Sequence, residues 1–138
     1  MLSTEEMCMR DATAAAKAVT VYVCTTCRGP SGADSDPRPG VLVADATVKA
    51  AEGTGVTVCR LECFANCSRG PSAAVRCNGS WTYVFGGLDA ACGAALVEGA
   101  YLLAQAADGI MPWRGRPEQL KRGLIARVPP IDFQEAPK

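Results

Sequence analysis

Two pairs of cysteines carry the chemistry of this chain. Cys24 and Cys27 stand in "VCTTCRGP", and Cys63 and Cys67 stand in "CFANCSRGP", giving the spacing Cys-x2-Cys-x35-Cys-x3-Cys. Four thiolates at one place suit a [2Fe–2S] cluster or a zinc ion. A Cys-x-x-Cys pair alone also suits dithiol–disulfide exchange. The chain has eight cysteines and no histidine among 138 residues. The missing imidazole removes the usual general base, so nucleophilic catalysis of the Ser-His or Cys-His kind is not expected, and the reading is of a non-enzyme. Lysine and arginine balance aspartate and glutamate at 14 each. That neutrality speaks against nucleic acid as the main partner, which needs clustered cations.

The elements that must position the thiols are legible from periodicity. "VTVYV" (19–23) is β-branched and aromatic, which predicts a strand ending at "CTTC". A loop rich in Gly, Pro, Ser and Asp follows over 28–40, and then a helix from about Pro39 to Ala51, closed by Gly53. "GVTVCRLE" (55–62) predicts a second strand, with Val56, Val58 and Arg60 on one face and Thr57, Cys59 and Leu61 on the other. "SAAVRC" and "WTYVFG" flank Asn78-Gly79, a hairpin signal because Asn-Gly fits a type I′ turn. A long helix is predicted over 88–107, with Cys92, Leu96, Gly99 and Leu103 on its apolar face. A short helix runs from Pro117 to about Leu124. The remainder is a proline-containing tail without periodicity. Residues 3–17 read as a helix with Ser3 and Glu6 as a capping box.

The order β-α-β-β-β-α implies a right-handed βαβ unit with parallel strands, followed by an antiparallel hairpin. The expected fold is α/β (α+β), a thioredoxin-like mixed four-stranded sheet flanked by helices. The expected organisation is an N-terminal arm at 1–18, the cysteine-bearing domain at 19–110 and an extension at 111–138 packing on it. Parallel neighbours lie about 4.8 Å apart, so both cysteine pairs emerge at one edge of the sheet.

"CFANCSRGP" resembles the second cluster-binding loop of the thioredoxin-like [2Fe–2S] ferredoxins. The stretches "VCTTCR", "WTYVFGGL", "GIMPWRGRPE" and "LIARVPP" are similar to an uncharacterised family of small predicted metal-binding proteins often encoded near cobalamin-biosynthesis genes. This likeness covers roughly 20–130. The resemblance implies Cys24, Cys27, Cys63 and Cys67 as ligands of a [2Fe–2S] cluster. It implies one-electron transfer to or from a redox partner protein, and a homodimer as the family's common state. The first pair is closer than those ferredoxins usually have it, and Cys-x2-Cys is also the commonest zinc spacing. Zinc is therefore the alternative cofactor. The alternative functions are a zinc- or cluster-binding accessory protein of metal or cobalamin metabolism, and a thiol–disulfide protein using Cys24 and Cys27.

Residues around the loops fit an anionic centre. Arg28, Arg60 and Arg69 are candidate counter-charges, and Gly29 and Gly70 let backbone N–H groups approach sulfur. Cys59 alternates inward on its strand and reads as a buried free thiol; its spacing, Cys59-x3-Cys63-x3-Cys67, makes it the candidate substitute ligand, and Cys77 is a weaker one. Cys92 reads as core, and Cys8 as incidental. Trp81, Tyr83 and Phe85 alternate on one strand face, which is a packing pattern. Trp113, Arg114 and Arg116 form a candidate docking patch, since exposed Trp and Arg favour interfaces. The acidic start lacks the pattern of a secretory leader, and the apolar stretch 88–107 carries Asp89 and Glu98. A cytoplasmic, thiol-reducing location without membrane contact is the expectation.

Overall fold

The computed structural model describes residues 18–26, 38–62 and 70–135. The predicted helix at 3–17 lies outside them, as do Cys8, Cys27, Arg28, Gly29, Cys63, Cys67 and Arg69.

Strand β1 (Val19–Cys24) follows from its β-branched alternation. Val19, Val21 and Val23 enter the main core, which leaves Thr20, Tyr22 and Cys24 on the opposite face. Helix α1 (Pro39–Ala51) starts on a proline, whose missing N–H costs nothing in the first turn. Arg38 before it is extended, as a residue preceding proline must be. Gly53 and Gly55 carry the chain out of the helix at φ 75° and 80°, a backbone region that suits glycine. Strand β2 (Thr57–Leu61) then pairs parallel to β1, with Val21 opposite Val58 and Cys24 opposite Leu61. Strands β3 (Ala73–Cys77) and β4 (Thr82–Phe85) form the antiparallel hairpin. Its turn holds Gly79 at φ 77°, as an Asn-Gly turn requires.

The predicted helix over 88–107 begins later than its sequence pattern. Asp89 accepts the Ala91 N–H at 2.9 Å and caps a 3-10 turn at Ala90–Cys92. Helix α2 (Gly93–Gln105) follows, with Leu96, Gly99 and Leu103 on its buried side. Helix α3 is short, Glu118–Arg122.

The sheet has five strands where four were expected. Strand β5 (Leu124–Val128) pairs antiparallel to β4, and the order is β2-β1-β3-β4-β5. Its sequence, LIARV, has no inside–outside alternation because it is an edge strand that is at most partly covered along its length. Arg127, though exposed, lies over the Trp81 ring at 4.3 Å. Period two marks a strand only when one face is buried and the other wet. The extension beyond 110 therefore supplies a strand to the sheet as well as packing against it.

Helices α1 and α2 pack on each other and on β1. The core between helices and sheet holds Val21, Val23, Val43, Val75, Phe85, Leu96 and Leu103, all fully buried. Tyr83 and Phe85 stack with centroids 6.4 Å apart. The Tyr83 hydroxyl accepts the Met111 N–H at 2.9 Å, which ties the loop after α2 to the middle of the sheet. Among the described residues every buried side-chain nitrogen and oxygen has a hydrogen-bond partner, and no helix is long and apolar enough to cross a membrane.

Candidate metal centre

Cys24 is the last residue of β1 and is fully buried. Its backbone N–H donates to Ser72 O at 3.0 Å, at the start of the hairpin. Its thiol donates to Glu62 O at 3.1 Å. The next residues repeat this attachment to the end of β2. Thr25 N–H donates to Leu61 O at 2.8 Å, and the Thr25 hydroxyl reaches the same oxygen at 3.2 Å. The Thr26 hydroxyl donates to Glu62 O in a very short contact. Arg38 Nη1, just before α1, donates to Thr26 O at 2.9 Å.

These bonds have one consequence. The first cysteine loop is fastened, by backbone and hydroxyl groups, to the two residues that precede Cys63 in the sequence. The parallel register sets Cys24 opposite Leu61, so the chain leaves β2 for "CFANC" at the same sheet edge where it leaves β1 for "CTTC". The sequence reading missed Thr25, Thr26 and Arg38 as positioning groups. The signal was available in part: two hydroxyl residues directly after a strand are suited to bonding nearby carbonyls. That the carbonyls belong to residues 61 and 62 is visible only in three dimensions.

The chain returns through Gly70 and Pro71, both buried and joined by a cis peptide bond. Pro71 O accepts the Leu88 N–H at 3.1 Å. Arg60, a candidate counter-charge, forms an ion pair with Asp45 of α1 at 2.8 Å. Its guanidinium is held toward the helix layer. Among the described residues no three histidine, cysteine, aspartate or glutamate side chains gather as a metal site. Of the four candidate ligands only Cys24 lies within those residues.

The remaining cysteines divide clearly. Cys24, Cys77 and Cys92 carry no disulfide. Cys59 is 3 % exposed and disulfide-bonded. Its alternation gives the expected burial but the free thiol expected there is not found, and Cys59 lies on the same side of the β1–β2 pair as Tyr22, its register partner. Cys77 is buried at the end of β3, away from the strand ends that bear the loops.

Cys92 is core. Burial pushes its thiol above the ordinary thiol range, and the Asp89 backbone N–H pulls the other way. The nearby Asp89 carboxylate adds to the rise, and the thiol donates to it at 3.5 Å. A folded-state pKa raised above the unfolded value means that the unfolded chain releases its proton first. Stability is then complete below the unfolded thiol pKa of about 8.5 and falls as pH rises from there toward the folded value. Denaturant melts between pH 7 and 10 should show this decline. Cys92→Ala should make it shallower, although the variant is less stable at pH 7.

The candidate docking residues are also placed. Trp113 is 61 % exposed and Arg114 is exposed, whereas Arg116 is 8 % exposed. The Arg116 guanidinium sits between two rings, 5.5 Å from the Tyr83 centroid and 5.2 Å from that of Trp113. It also donates to Met111 O in a very short contact and to Pro112 O at 3.2 Å.

A search of solved structures finds thioredoxin-like [2Fe–2S] ferredoxins. One from Aquifex aeolicus superimposes with a TM-score of 0.54 at 19% sequence identity, over 84% of this chain and 98% of that one. A cysteine-to-serine variant of the Aquifex aeolicus ferredoxin gives a TM-score of 0.52 at 16% identity, over 78% of this chain and 98% of that one. At these identities the likeness establishes a thioredoxin-like fold. No curated protein matches the chain. The profile of the family described as "Protein of unknown function (DUF1636)" matches residues 21–130, most of the chain, and the chain belongs to that family.

Proposed function

We propose that this protein is a thioredoxin-like [2Fe–2S] electron carrier with Cys24, Cys27, Cys63 and Cys67 as ligands. The observation that carries this reading is the parallel register of Cys24 with Leu61. It directs both cysteine loops from one sheet edge, on a fold shared with ferredoxins of that kind. The donor set is thiolate throughout, without histidine, which fits iron–sulfur ligation.

The cluster, when bound, supplies a reversible one-electron couple. The chain's own residues do the rest. Cys24 is held at the strand end by Glu62 and Ser72, so little ordering of that thiol remains when metal arrives. Thr25 and Thr26 fasten the first loop to the end of β2, and Arg38 ties it to the start of α1. Four protein ligands leave no open position for substrate, so the protein passes electrons to a partner protein and catalyses nothing alone. A reducing compartment such as the cytoplasm suits the thiols.

A second reading, thiol–disulfide exchange by Cys24 and Cys27, rests on the Cys-x-x-Cys pair whose first cysteine ends β1. Protein purified without air, reduced with dithionite and measured by EPR alongside iron and zinc analysis separates the readings. The carrier reading expects a rhombic signal of one unpaired electron and about two iron atoms per chain. Cys59→Ala should keep both. A colourless protein with one zinc, or a metal-free one with a reversible dithiol couple, would overturn it.

A further inference from the structure

The described part of the C-terminal extension segregates charge. Between 111 and 128 the chain holds the cations Arg114, Arg116, Lys121, Arg122 and Arg127 against a single anion, Glu118. The whole chain is neutral, so the remainder is acidic and this segment stands apart as a basic face. Trp113, within this segment, keeps most of its surface in solvent.

This tryptophan is not a loose side chain. Arg116 underlies one part of the ring at 5.2 Å, and the Lys121 ammonium lies 5.0 Å from its centroid. Arg116 is itself fixed by Tyr83 and by the carbonyls of Met111 and Pro112. The loop that bears Trp113 is fastened at Gly109, whose carbonyl accepts the Trp81 N–H at 2.9 Å, and at Met111 by the Tyr83 hydroxyl. A large ring held in place before contact loses little conformational freedom on binding, and such aromatic anchors with nearby arginine dominate interface energies. Arg114, next to Trp113 in the chain, and Arg122, next to Lys121, are both exposed. Glu118 offsets only Arg122, to which it is paired at 3.2 Å.

The position of this face in the fold is informative. β1 and β4 run alike, β3 and β5 oppositely. The start of β5, directly after Lys121 and Arg122, is therefore at the same sheet end as Cys24. Three strand spacings separate β1 from β5, about 14 Å.

We propose that Trp113, Arg114, Lys121 and Arg122 form a docking face for an acidic surface of a protein partner, with Trp113 as its anchor. On the electron-carrier reading that partner is the redox protein; the face itself does not depend on a cluster. Charge complementarity selects the occupant: an excess of cations beside a fixed aromatic steers an anionic protein surface and repels a basic one.

The probe is a glutamate-rich synthetic peptide, titrated into the full chain as purified and followed by tryptophan fluorescence. Saturable binding is expected that weakens steeply between 20 and 200 mM salt (roughly a Debye length of 20 Å shrinking to 7 Å). Arg114→Glu with Lys121→Glu should weaken it at least about tenfold, and Trp113→Ala by a similar factor. These positions are exposed or half-exposed, and circular dichroism verifies the variants' fold. Binding that is absent, insensitive to salt, or unchanged in both variants would overturn the proposal. So would tighter binding of a single-stranded oligonucleotide. Sedimentation as a dimer that the double variant dissociates would assign the face to a second copy, also against it. An EPR-silent, iron-free protein that still binds the peptide would remove the carrier reading and leave the docking face intact.

Discussion

Cys24→Ala is expected to abolish cluster binding, with loss of visible absorption and of the reduced-state EPR signal, and iron falling from about two atoms per chain to background. Of the four proposed ligands, Cys24 is the one that lies among the described residues. It ends β1, it is buried, and it is oriented by Glu62 O. The chain has no histidine to take its place, Cys77 and Cys92 lie in the core, and Cys59 is held in a disulfide. The substitution removes only one sulfur from a packed site, so the stability cost is about 1 kcal/mol and the fold should survive. Far-UV circular dichroism and a denaturant melt establish that independently of iron content. Cys24→Ser is the finer test. Its hydroxyl keeps a donor for Glu62 O but is a harder ligand, so any cluster retained should be more labile and shifted in its visible bands. A Cys24→Ala protein that still carries stoichiometric iron with an unchanged spectrum would exclude Cys24 as a ligand. In that event Cys59, already disulfide-bonded, becomes the residue to replace next.

What could be read from the sequence was what local chemistry dictates. The valine alternation of β1, the Asn78-Gly79 turn, the proline start of α1 and the apolar stripe of α2 each follow from the conformational needs of a few neighbouring residues. The parallel β1–β2 pair followed from one topological rule, the right-handed crossover. Strand β5 escaped because its side chains are covered unevenly at a sheet edge, so the residue pattern carries no period. Arg116 looked like a surface cation because composition does not reveal that two aromatic rings and two carbonyls surround it. The same holds for the cysteine edge. Spacing identified the thiols, but the hydroxyl and backbone bonds from Thr25 and Thr26 to residues 61 and 62 depend on register, which sequence leaves open until one face is known to be buried.

Gly93→Ala should be the most damaging small substitution in the helix layer. The glycine begins α2, where it meets α1 backbone to backbone. A Cβ added there would stand 2.6 Å from the carbonyl carbon of Ala46 and 2.8 Å from its oxygen. Neither atom can turn aside as a side chain does, so α1 must move as a body. That helix is packed on β1 and β2 as well as on α2. Overpacking of this kind costs about 1–3 kcal/mol, and alanine's better helix propensity returns at most about 1 kcal/mol. A net loss near 2 kcal/mol corresponds to a fall of roughly 8 °C in Tm for a domain of this size. Gly99→Ala supplies the contrast within the same helix. Its Cβ would meet Leu120 Cδ1 at 2.3 Å, which on paper is closer. That atom is the tip of a flexible side chain, and a rotamer change can relieve it, so the drop should be smaller. If Gly93→Ala melts with the wild type while Gly99→Ala does not, the helix crossing at Ala46 is looser than the geometry requires. The expected order also bears on the site. α1 carries Asp45, which holds Arg60, and follows Arg38, which holds the first cysteine loop. A displaced α1 should therefore slow cluster assembly in Gly93→Ala, and Gly99→Ala should leave it unchanged.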